Sequence, residues 1–189
     1  EGWAREHSSP RYWGEERRIF INLLPKGRVI EIGSGAGSDA KELINLGYGY
    51  IGTDVSRGLL EQARKANPKA TFEHKSVYDL DYPKNSFDGF WASATLLHIP
   101  KSRIDKALQR IHRIVKSRGV GFISIKKGKG ERLETDEPQM VGERRKLFSY
   151  YSQVEFRETL ERNGYKVIEE LVRPLSQRTT WLEYFVKVI

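Results

Sequence analysis

Apolar residues recur at helical spacing through Ile104, Ala107, Leu108, Ile111, Ile114 and Val115, the clearest periodicity in the chain, and Pro100 marks where that helix opens. Arg118-Gly119 breaks the period. The run Val120–Ile125 that follows is short and apolar, as expected of a strand buried in a parallel sheet. The same alternation of types is legible upstream. Glu15–Leu24 carries Ile19, Phe20, Leu23 and Leu24 on one helical face and stops at Pro25-Lys26-Gly27. Arg28–Ile32 reads as a buried strand that runs through Gly33, Gly35 and Gly37 into a helix ending before Gly47. Tyr48–Val55 predicts a second strand, and Ser56 is placed to cap a helix striped by Leu59, Leu60, Ala63 and Ala66, which Asn67-Pro68 ends. Ala70–Val77 alternates weakly and predicts a third strand. After a turn through Asp81–Ser86, Phe87–Ser93 predicts a fourth, rich in aromatic residues.

Two stretches lack a sustained period. Residues 1–14, with Trp3, Tyr12, Trp13 and Ser8-Ser9-Pro10, form a loose aromatic segment ahead of the first helix. Lys126–Ser149 is polar, has glycines at 128, 130 and 142, and reads as a long loop of the kind that often serves as a lid. Beyond it Ser152-Gln153-Val154-Glu155 is a capping box, and the helix it opens ends at Gly164. Tyr165–Val172 and Thr180–Val188 remain as strands with no helix between them, which predicts antiparallel pairing at a sheet edge. The expected fold is α/β: a Rossmann-like, doubly wound, seven-stranded sheet, mostly parallel, with helices between the first five strands and an antiparallel C-terminal strand pair. Its ligand crevice lies at the carboxyl ends of the strands.

Composition narrows the setting. A chain of 189 residues with 38% hydrophobic content suits one domain, with residues 1–24 as N-terminal segment and helix and 126–149 as an acceptor-site loop. The chain has no cysteine, which excludes a disulfide framework, a thiolate metal site and a cysteine nucleophile, and makes a cytoplasmic setting the expectation. No apolar run reaches the ~20 residues of a membrane span, and Glu1–Arg5 has no signal-peptide core. The first residue is not Met, so the sequence is expected to begin inside a longer one. The formal charge of +8 favours anionic partners in general, with Lys, Arg and Glu spread along the chain. The histidines at 7, 74, 98 and 112 have no ligand-like spacing, so no metal site is expected.

Three alternating glycines directly before a helix let the backbone turn left-handed and approach a ligand closely. An ordinary tight turn would need only one. A nicotinamide-binding Rossmann domain is a rival reading, because Gly35-Ala36-Gly37-Ser38-Asp39-Ala40 satisfies G-x-G-x-x-A. Against it stand Glu31 two residues before the first glycine, the antiparallel tail, and too little chain for a second domain to hold a hydride acceptor. With Glu31-Ile32-Gly33-Ser34-Gly35-Ala36-Gly37 at its head, the element order resembles the class I S-adenosylmethionine-dependent methyltransferases, in the small stand-alone form. Asn85–Ala92 and Leu96-Leu97-His98-Ile99-Pro100 add to that resemblance, which runs from about Leu23 to Ile189.

The resemblance implies S-adenosyl-L-methionine as cofactor. It implies contacts from Glu31, Gly33, Ser34, Gly35 and Gly37, and from Asp54 and Val55 at the tip of the second strand, where a carboxylate can accept from both ribose hydroxyls. Alternatively Asp54 is a charge at a helix N-terminus, and Glu31 a satisfied structural carboxylate. Ser76 and Val77, with Tyr78, fall where the family meets adenine. Ser76 departs from the acid often found there, which shifts the expectation to backbone atoms or Asp79. Ala92 and Ser93 border the methionine end. Methyl transfer needs alignment and dryness more than acid–base groups. His98 is the candidate base, with packing near Pro100 as its alternative; Tyr150 and Tyr151 either line the acceptor pocket or belong to the core; Tyr12 and Trp13 are candidate lid residues. Carbon-5 cytosine methylation is set aside for want of a cysteine. Exocyclic amino methylation of DNA bases is set aside as well, because Ala92-Ser93-Ala94-Thr95 lacks the Pro-Pro turn. The expected activity is methyl transfer to an oxygen or nitrogen of a small molecule, with no membrane partner. An RNA methyltransferase and a donor-binding domain without catalysis are the alternatives.

Overall fold

Four of the five residues of β1 (Arg28–Ile32) are buried, and the strand lies inside a seven-stranded sheet, third from one edge, in a computed structural model that describes residues 13–135, 145–176 and 179–189. The other strands are β2 (Gly49–Asp54), β3 (Thr71–His74), β4 (Phe87–Ala92), β5 (Val115–Lys126), β8 (Tyr165–Pro174) and β9 (Thr180–Val188), in the order β3-β2-β1-β4-β5-β9-β8. β1 pairs parallel with β2 on one side and β4 on the other, so the chain reverses its direction of progress across the sheet there. That switch point opens a crevice at the carboxyl ends of β1 and β4. β9 alone runs against its neighbours, antiparallel to both β5 and β8.

The helices cover both faces. On one, α1 (Gly14–Leu23) lays Phe20 edge-on to Trp91 at 5.3 Å; Trp91 stacks on Phe122 at 4.1 Å, and Phe122 meets Phe185 at 5.1 Å. Trp13 belongs to this layer, edge-on to Phe122 at 5.7 Å and to Trp181 at 5.9 Å, and is buried. The lid role expected of Trp13 is therefore corrected: its ring faces the sheet. Tyr12 and the segment before it lie outside the described residues. On the other face α4 (Ile104–Ile114) buries Ile104, Ala107, Leu108, Ile111 and Ile114, the leucine and isoleucines each contributing roughly 1.5–3 kcal/mol. α2 (Ala40–Asn45), α3 (Arg57–Ala66) and α5 (Gln153–Arg162) complete the layers. The expected caps form: Ser56 Oγ accepts from Leu59 N at 3.3 Å, and Ser152 with Glu155 makes the full capping box.

Four boundaries differ from expectation. β3 ends at His74, and Val77 falls in a 3₁₀ turn, Val77–Asp79, so no α-helix joins β3 to β4. α4 passes directly into β5 at Val115, which pairs with Phe87. The Arg118-Gly119 interruption sits inside that strand as an irregularity, with Arg118 left-handed at φ 65°. Most clearly, the loop expected over 126–149 contains two antiparallel strands, β6 (Gly130–Thr135) and β7 (Arg145–Tyr150). Their residues are mostly polar and half exposed, so no continuous apolar face announced them; what orders them is pairing and docking on the turn after β4.

Candidate functional site

At the end of β1 the backbone turns back on β2: Gly33 N and Ser34 N both donate to Thr53 O, at 2.7 and 2.8 Å. Gly33, Gly35 and Gly37 all take left-handed conformations, at φ 72°, 54° and 80°. Two of them are also packing necessities. A Cβ at Gly33 would meet Thr95 Oγ1 at 2.2 Å, and one at Gly37 would meet Asn67 Nδ2 at 2.7 Å. Gly35 differs, since among the described residues a Cβ there would find nothing within 4 Å. The helix expected right after the glycines starts only at Ala40, so the bend is a run of turns, not a helix N-terminus.

Asp54 closes the other side. Its Oδ2 accepts from Gly35 N at 2.9 Å and its Oδ1 from Ser56 N at 2.8 Å, so the carboxylate lies against the glycine bend. Beside it Val55 is 65% exposed. The chain after β3 comes alongside: Lys75 N donates to Asp54 O at 3.1 Å, and Ser76 Oγ accepts from Tyr78 N at 3.2 Å to cap the turn through Val77. Tyr78 lies beneath the Arg103 guanidinium, 4.2 Å from its ring centroid.

Beneath the bend is a buried acidic layer. Glu31 accepts from the Tyr50 hydroxyl, and burial, reinforced by the charges of Asp39 and Asp54, holds its carboxyl well above the usual range. Asp39 accepts from Arg17 Nη1 and Trp91 Nε1, both at 3.0 Å; burial raises its pKa against those two bonds. Ser34 Oγ is buried with no hydrogen-bond partner. An open glycine, an orphaned hydroxyl and the Glu31 carboxylate, whose charged neighbours Asp39 and Asp54 are acidic, suit a ligand bearing both hydrogen-bonding groups and a positive charge.

The end of β4 forms the crevice's opposite lip. Ala92 is buried, Ser93 O accepts from Thr95 Oγ1 at 3.0 Å, and Ala94 N donates to Ser124 Oγ at 2.8 Å. The residues expected at the acceptor side point to the hairpin. His98 Nδ1 donates to Leu147 O at 2.8 Å, and its ring meets Phe148 at 4.7 Å. Tyr150 donates to Glu134, and Tyr151 is a core residue against Phe156 at 4.9 Å with Lys101 over its ring at 4.4 Å. Of the three, His98 and Tyr150 fasten the β6–β7 hairpin, and Tyr151 packs below it. Sequence reading missed Asn67, whose Nδ2 donates to Gly37 O at 3.0 Å; its place before Pro68 had suggested only a helix stop. It also missed Arg17 and Trp91, the partners of Asp39.

Residues 29–119 match the family model described as a methyltransferase domain. The chain is 28% identical over 109 residues to phosphoethanolamine N-methyltransferase of Plasmodium falciparum, a match covering 55% of this chain and 41% of that one. It spans less than half the length of the curated relatives it matches. Among solved structures, a methyltransferase of Methanosarcina mazei described as SAM-dependent superposes with TM-score 0.81 at 18% identity, covering 90% of this chain and 97% of that one. The 1,6-didemethyltoxoflavin-N1-methyltransferase of Burkholderia thailandensis, solved with its acceptor and S-adenosylhomocysteine, gives 0.79 at 20% identity over 100% and 81%. At such identities the likeness is one of fold.

Proposed function

We propose that the chain is a class I S-adenosylmethionine-dependent methyltransferase that transfers a methyl group from S-adenosylmethionine to an oxygen or nitrogen of a small-molecule acceptor, a reading supported by the methyltransferase-domain match over residues 29–119 and by the shared fold. The observation that carries this reading is the seat between Asp54 and the open face of Gly35. In it Asp54 would hold the ribose hydroxyls, exposed Val55 the adenine face with Val77 and Ser76 along its edge, and Ser34 with Glu31 the methionine end, flanked by Ala92 and Ser93. When bound, the donor supplies an electrophilic methyl on a sulfonium. The chain's part is alignment and dryness: an aromatic layer under the crevice, and a hairpin clamped over the turn after β4 by His98 and by Ser149 Oγ, which donates to Ile99 O at 2.7 Å. With Nδ1 committed to Leu147, His98 is assigned to holding the hairpin before any proton transfer. The names of the toxoflavin and phosphoethanolamine enzymes support nitrogen as acceptor atom and a small molecule as acceptor. Among the described residues no helix is long and apolar enough to cross a membrane. Work in the cytoplasm is part of the proposal, supported by the absence of cysteine.

Calorimetry with S-adenosylhomocysteine tests the seat. Asp54→Ala should weaken binding about 100-fold, two charge-assisted hydrogen bonds being lost. Unchanged affinity would remove the ribose assignment. The +8 charge and the exposed Lys127, Lys129 and Arg132 near the hairpin support RNA as a second acceptor class. That reading requires affinity for RNA that falls steeply with salt.

A further inference from the structure

The first turn of α1 sends adjacent side chains in two directions. Arg17 reaches Asp39 at the far end of the glycine bend, whereas Glu16 pairs with Arg173 of β8. The same guanidinium donates from Nε to Glu183 Oε1 on β9 at 3.1 Å, and reaches exposed Glu15 at 3.2 Å. Glu16 and Glu183 are fully buried, and the second oxygen of each, Glu16 Oε2 and Glu183 Oε2, has no hydrogen-bond donor among the described residues. Trp181, two residues before Glu183 on the same side of β9, also has a buried indole N–H without a partner, and packs on Trp13. Register sets this cluster at the crevice end of the sheet. Glu183 stands opposite Ser124 of β5, and Ser124 Oγ holds the Ala94 amide just past the end of β4.

Two buried carboxylates against one guanidinium are short of one positive charge, and an uncompensated buried charge costs several kcal/mol. Burial and the charge of Glu16 push Glu183 up to about 8, so in the chain alone the missing charge is a proton on Glu183. The nearby cations are engaged elsewhere: Lys126 Nζ lies over Phe148 at 4.3 Å, and Arg17 is bonded to Asp39. An ammonium would replace that proton and offer N–H donors to the orphan oxygens. Arg173, its side chain 36% exposed, is the solvent side of the cluster.

We propose that Glu16 and Glu183 form the acceptor subsite and hold the amino group of an amine. This rests on the methyl-transfer reading and narrows it to nitrogen acceptors. The test uses three probes that share a ring and differ in head group, benzylamine, benzyl alcohol and benzoate, titrated by ligand-observed NMR into protein saturated with S-adenosylhomocysteine. Benzylamine should bind at least tenfold more tightly than the alcohol and benzoate most weakly. In Glu183→Gln and in Glu16→Gln the preference should shrink to within twofold while S-adenosylhomocysteine affinity stays within twofold of wild type. No binding of benzylamine, equal binding of amine and alcohol, or a preference that survives in either folded variant overturns the subsite. Should one variant fail to fold, the other and the wild-type comparison decide. Failure of wild-type protein to bind S-adenosylhomocysteine overturns the methyl-transfer reading instead.

Discussion

The two lips of the crevice are built in opposite ways. The lip assigned to the donor is local: β1, the glycine bend and the tip of β2 follow one another in the chain, and the family match over 29–119 contains them. The acceptor side, beyond the lip that the end of β4 provides, is assembled from α1, β8, β9 and a hairpin, elements distant in sequence and outside that match. A ligand shared by many enzymes can be held by one contiguous motif; an acceptor particular to one enzyme is met by side chains that only folding collects. The contrast predicts that single changes on the first lip act through backbone geometry, and on the second through charge and docking.

The largest effect is expected at Gly33. Alanine there adds a Cβ 2.2 Å from Thr95 Oγ1 at φ 72°, so Gly33→Ala should lose about 2–4 kcal/mol in denaturant unfolding. Gly35→Ala, with open space and only the positive φ to oppose, should lose about 1–2 kcal/mol yet weaken S-adenosylhomocysteine binding more. Equal stability losses would mean that the bend is not divided into packed and open glycines.

Next come the buried acids, one on each lip. Glu31 and Glu183 both bind their proton more tightly folded than unfolded, so their contribution to stability is complete below the ordinary carboxyl value of 4.5. It is lost as pH rises through the folded value, about 8 for Glu183. Thermal unfolding of the ligand-free protein should therefore fall in midpoint between about pH 5 and 8, and Glu183→Gln should flatten that slope. A midpoint that rises over this range would place both carboxyls in the wrong state. The smallest effect belongs to the hairpin. His98→Ala removes the bond to Leu147 O and should cost about 1 kcal/mol, seen as faster hydrogen exchange confined to the β6 and β7 amides. A loss of activity at saturating donor with unchanged exchange would return His98 to a chemical role.

The sheet with its antiparallel C-terminal strands, both helix caps and the place of Asp54 at the tip of β2 were legible from the chain alone, because each depends on short-range periodicity or on a residue whose conformational range is unusual. Gly33 and Gly35 announce left-handed backbone wherever they stand, and Ser152-Gln153-Val154-Glu155 caps its helix from within. The hairpin, the inward turn of Trp13, the fastening of His98 to Leu147 and the Glu16–Arg173–Glu183 cluster were not. Each joins residues far apart in sequence, and a buried charge or a paired polar strand is defined by what surrounds it, which no local pattern encodes. Tertiary packing alone set two carboxylates against one guanidinium, and thereby which side of the crevice calls for a cation.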